Sequence, residues 1–249
     1  PTPDATPTPV ATDELPADLS DLEPEDVADL TPEAVADLTA DQVSDLSDDA
    51  IAAFIPKQVR ELSADAISGL SGTQIAELSS KAVQALSGEQ LSALSPRAVG
   101  GFTADQVAKI SNDAVASFVL KQVRKMTGDA FAGFSKSQLS EIPLQVVKGF
   151  TGEQVEQLSR GAFKGLETDQ LAKLSKNAVS GLTCRQLKTL SGDELAVFKP
   201  KKIKSIDADA ISCLKPAALD ELNQRQVKSL TNDQLAGLSE KQINKSDAF

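Results

Sequence analysis

The chain has no histidine, tryptophan or tyrosine, a single methionine and two cysteines, and its few aromatic residues are all phenylalanine. Without histidine the usual general base, the Ser/His and Cys/His nucleophile pairs and the commonest metal ligand are all missing. The two cysteines form no CxxC motif, so neither thiol catalysis nor a zinc site is supported. Carboxylate pairs such as Asp48 and Asp49 remain, but helical surfaces display these routinely. No enzyme and no cofactor are expected. No run of about 18 apolar residues occurs, which excludes a membrane-spanning helix. A net charge of −11 and the lack of aromatic residues for base stacking, apart from core-type phenylalanine, argue against nucleic acid as a partner. Large side chains are scarce for 249 residues, so a compact core is poorly supplied and an elongated shape is favoured. The chain opens on Pro1 rather than methionine, as a processed chain or an excised piece of a longer one does.

What is present is a repeat of eight residues, [ST]-x-x-[AQ]-[VIL]-x-x-[LF], as in Ser63–Leu70, Ser71–Leu78 and Thr103–Ile110. From Thr31 to Leu238 it runs without insertion through 26 units, and positions 5 and 8 are large and apolar in every one. Two weaker units, 15–22 and 23–30, precede this run, and an incomplete one, 239–246, follows it. Position 1 is mostly Ser or Thr, with Asp207 and Asn223 as substitutes, the side chains that accept from the open amides of a helix start. Asp or Glu at position 3 meets the positive end of the helix dipole, and Pro32, Pro56, Pro96, Pro200 and Pro216 stand at position 2, where no amide hydrogen is needed.

One continuous helix is excluded by arithmetic. Eight residues at about 100° each would swing the apolar stripe by about 80° per unit, so it would never face one partner. Strands need alternation, whereas positions 4, 5 and 8 form a helical face. The pattern therefore predicts short helices of six or seven residues joined by tight corners.

A second period overlies the first. Position 4 alternates between alanine and glutamine from Ala34 and Gln42 to Ala130 and Gln138. Glycine at position 7 (Gly69, Gly101, Gly133, Gly149, Gly165, Gly181) and every phenylalanine but Phe249 fall in the alanine-type units. Alanine-type helices are thus expected to pack closely. The glutamines are expected to hydrogen-bond carbonyls that neighbouring short helices leave open. The fold class is all-α: a superhelical solenoid of about 29 octapeptide units arranged as 16-residue two-helix repeats, covering 15–246. One such unit cannot fold alone, and only stacking stabilises it.

Residues 1–14 read as an extended Pro/Thr-rich linker and 247–249 as a tail. Thr6 and Thr8 are candidate O-glycosylation sites, or part of an unmodified leader, and Asn244 opens the chain's N-glycosylation sequon. Residues 1–56 hold 15 acidic residues and no Lys or Arg, while the segment 121–204 has 15 basic and 8 acidic residues. This polarity fits either ordinary solvation or self-association, with the acidic part 15–56 (Asp41, Asp45, Asp48, Asp49) meeting the basic middle (Lys199, Lys201, Lys202, Lys204). The same aspartates could offer oxygens to calcium but lack a glycine-centred loop. Cys184 is at position 2 of its unit and Cys213 at position 7 three units on. If successive helices run antiparallel, the two share an edge, so the pair fits a disulfide, or else two structural thiols.

The Ser/Thr-x-x-Gln-Val-x-x-Leu unit resembles the short-helix repeats of the mesothelin, stereocilin and otoancorin group, in repeat style across 15–246. The chain departs from that group in its stricter octad, its lack of Trp and Tyr and its scarcity of cysteine. The resemblance implies a glycosylated superhelical protein of the cell surface or extracellular matrix, used in adhesion and without enzymatic activity. It carries over no functional residue. Together these readings give a non-enzymatic extracellular structural or adhesive rod that could self-assemble into fibres through its acidic N-terminal end and basic middle. The alternative is a solenoid scaffold that binds another extracellular protein or a glycan on a curved surface.

Overall fold

The structure, a computed structural model, describes residues 15, 19, 20 and 22–245. Among them are 28 helices of four to six residues and no strand, from α1 (Pro24–Asp29) to α28 (Glu240–Lys245). They are shorter than the periodicity predicts because each corner takes residues out of the helix. Position 8 closes one unit in an extended conformation and position 1 opens the next in another, as at Leu62 (φ −57°, ψ 128°) and Ser63 (φ −65°, ψ 158°). Among the described residues no corner uses a positive φ or a cis peptide.

The starts form as the sequence dictates. Ser63 Oγ accepts from Ala66 N at 3.0 Å, Thr103 Oγ1 from Gln106 N at 3.3 Å, and Asp207 and Asn223 cap their helices in the same way. All five prolines predicted at position 2 open their helices.

Stacking follows a rule that the two-unit period does not reveal. From α4 (Asp48–Ala52) onward every helix packs on the helix three places before it, 24 residues back. The solenoid therefore has three helices to a turn, and sequential neighbours do not form the antiparallel pair assumed in reasoning about the cysteines. The sixteen-residue repeat survives as an alternation of chemistry. Because three is odd, each alanine-type helix lies on a glutamine-type helix and the reverse.

Position 7 of each unit comes to lie over position 2 of the unit one turn below, 29 residues earlier. Where glycine stands at position 7 of an alanine-type unit, the approach is close. A Cβ on Gly69, Gly133, Gly165 or Gly181 would strike the carbonyl of Ala40, Ala104, Lys136 or Gly152 respectively. Glycine is placed there for space, since none of these residues has a positive φ.

The core runs unbroken up the axis. Every position 5 from Val27 to Leu219 and every position 8 from Leu30 to Leu238 is buried, with most alanines at position 4 beside them. Phenylalanines meet edge to face within it, Phe131 with Phe134 at 5.1 Å and with Phe150 at 4.9 Å. Leu235 and Ile243 keep the pattern but are exposed, because no described turn follows to cover them. Helices packed about 8–10 Å apart over roughly nine turns give a stack about 70–90 Å long.

Candidate functional site

A four-residue helix pairs hardly any of its backbone internally, so the question is where the remaining carbonyls go. The glutamines answer it. Gln106 is buried; its Oε1 accepts from Thr103 N at 2.9 Å, and its Nε2 donates to Ile75 O at 2.7 Å and Leu78 O at 2.6 Å. One amide thus completes the cap of its own helix and closes two carbonyls of the unit 31 and 28 residues behind it. Gln58, Gln74, Gln90, Gln122, Gln138, Gln154, Gln170 and Gln186 repeat this at 2.6–3.1 Å. The expected glutamine role is present, with the partner four units back. Among the described residues no buried side-chain polar atom lacks a hydrogen bond.

Of the four lysines singled out from the sequence, the structure separates one from the rest. Lys202 occupies position 4 in the glutamine series and donates from Nζ to Ala172 O at 2.8 Å, the spacing of 30 residues that a glutamine would bridge. Burial, and then the ammonium groups of Lys199 and Lys173, hold its pKa below the ordinary lysine value. Its charge is committed to the stack rather than freely displayed. Lys199, Lys201 and Lys202 line an open concavity with Pro200 and with Lys176 from the turn below, while Lys204 is exposed outside it. The basic corner thus gains Lys173 and Lys176, which charge counting along one unit does not find. The missed signal was register: Lys202 falls sixteen residues after Gln186.

Asp41, Asp45, Asp48 and Asp49 are all exposed. Asp41, Asp48 and Asp49 serve the first turns of their helices, and among the described residues no three acidic, His or Cys side chains converge to hold a metal ion. Cys184 and Cys213 are joined in a disulfide with their Cα atoms 5.3 Å apart. They occupy a position 7 over position 2 contact of the kind in which glycine stands at position 7 in several other units, so the bond follows from three helices per turn. Both cysteines are half-buried and line an open concavity with Glu156, Asp207 and Asp209. Asn244 is exposed in α28, whereas Thr6 and Thr8 lie outside the described residues.

No family model and no curated protein matches the sequence. No helix among the described residues is long and apolar enough to cross a membrane.

Proposed function

We propose that this protein is a non-enzymatic structural or adhesive rod of the extracellular space or cell surface, able to associate with copies of itself. The observation that carries this reading is the uninterrupted stack: one register, one filled core and one ladder of glutamine clamps from Gln58 to Gln186. Such a body resists bending and offers length rather than an enclosed site. The disulfide suits an oxidising compartment, and the repeat style shared with the mesothelin group supports the same setting. The scaffold alternative has less support, since the concavities at the cysteines and the lysine corner are open ones.

Self-association would bring the acidic segment ending near residue 56 against the corner formed by Lys173, Lys176, Lys199 and Lys201. Electron microscopy at low and high salt, with masses from light scattering in the same buffers, tests this. End-to-end chains that dissolve at high salt are expected; single rods at both salts would remove self-assembly from the reading.

A further inference from the structure

The glutamine ladder has one gap. Its clamps recur every sixteen residues up to Gln186, but the next two places of that series carry Lys202 and Ala218, and the alanine-series units beside them carry Glu194 and Ala210. Glu194 accepts from Ser191 N at 2.7 Å and, as a carboxylate, has no hydrogen to give the turn below. Lys202 makes a single bond to that turn and the two alanines can make none. Two-carbonyl clamping resumes at Gln226, which holds Ala196 O and Phe198 O, and continues at Gln234 and Gln242. Between them the turn 191–214 rests on the turn 167–190 through apolar packing, the Lys202 bond and a Ser205 hydroxyl donating to Lys176 O at 3.2 Å. The disulfide, from α21 (Cys184–Leu187) to Cys213 just after α24 (Ala208–Ile211), crosses this same seam.

We propose that the Cys184–Cys213 disulfide is a redox lock that substitutes for the missing glutamine clamps, so that its reduction loosens the solenoid over 191–222 and leaves the clamped stack below intact. In repeat arrays stability is a sum of unit and neighbour-interface contributions, so a weakened interface opens locally instead of unfolding the whole chain. The bond is reachable, because both cysteines are half-buried and line an open concavity. A small dithiol supplies the electrons. Its thiolate attacks one sulfur to form a mixed disulfide, and its second thiol displaces the protein sulfur. The reductant is left as a cyclic disulfide, while Cys184 and Cys213 become two thiols with a net gain of two electrons and two protons.

Hydrogen exchange measured by mass spectrometry on the whole protein, with and without dithiothreitol, is the test. Amides of 191–222 should exchange on the order of tenfold faster, or more, after reduction, while those of 71–150 keep their rates. The double variant Cys184→Ser/Cys213→Ser should show the fast pattern without reductant and no response to it. Adding Lys202→Gln and Ala218→Gln to that variant should restore protection, since these amides would meet the carbonyls of Leu171 and Leu174, and of Leu187 and Leu190. Unchanged exchange in 191–222 on reduction, or a loss spread evenly along the rod, would overturn the proposal. Failure of the two glutamines to restore protection would equally overturn the claim that the bond replaces clamps.

Discussion

Gly101 lies so close above Gly72 that a Cβ on the upper residue would overlap the carbonyl oxygen of the lower one. The contact fixes the spacing between turns at the alanine-over-glutamine interface, and the first prediction concerns it. Gly101→Ala should destabilise the protein by about 1–3 kcal/mol, because backbone must move to admit the methyl group. Gly161→Ala should do the opposite, by about 0.4–1 kcal/mol, since its Cβ would meet only Ser159 Oγ at 3.8 Å and alanine is the better helix former. Thermal midpoints by circular dichroism give the two signs, and a neutral Gly101→Ala would contradict the close approach.

Removing one clamp should cost more than its bonds alone. Gln106→Leu keeps the volume but strands the Ile75 and Leu78 carbonyls in the interior, at about 1–3 kcal/mol for each orphaned group. Faster amide exchange should concentrate in the units 71–78 and 103–110. Stability equal to or above that of the parent protein would end the clamp interpretation.

Lys202 makes stability depend on alkaline pH in a defined sense. Its folded pKa is lowered from 10.5, so between the folded value and 10.5 the unfolded chain binds more protons and stability rises with pH. Below that window the charged form carries its full cost; above it the cost is gone. Lys202→Gln should therefore stabilise most near neutrality, and its advantage over the parent should shrink as pH approaches 10.5. Urea midpoints of both proteins across this range would reveal the convergence, and a constant difference would refute it.

Ile55 and Val119 occupy position 1 where a hydroxyl would cap the helix, and they are 47% and 45% exposed. Only half of each cap is made, with Gln58 and Gln122 accepting from the residue's own N–H. Ile55→Ser and Val119→Thr supply the missing acceptor and should each stabilise by about 0.5–1 kcal/mol. A drop in melting temperature for both would mean that these side chains cover apolar surface instead.

Much of this architecture was legible in one sequence because the unit is short and its signals are local. The cap at Ser63, the proline at Pro56 and the core face of Ile67 and Leu70 each follow from chemistry within eight residues. The number of helices per turn was not, since neither the eight- nor the sixteen-residue period specifies which distant unit lies beneath. Its only traces were pairs 29 residues apart, such as Ala40 and Gly69 or Cys184 and Cys213, and these signify nothing until a turn of three is known. The part Lys202 plays in the stack is hidden for a related reason. Lysine usually means solvent, and counting charges hid the fact that this one stands in a series whose other members are buried amides.

The mismatch between a two-fold chemistry and a three-fold turn also governs how the rod meets its surroundings. Each of its three faces is a chequerboard in which the two helix types alternate from one layer to the next, so all three faces average to the same composition. The alternation of helix types by itself gives the molecule no front or back. Its broadest charge asymmetry runs along the axis instead, from the acid-rich stretch to the lysine-rich one.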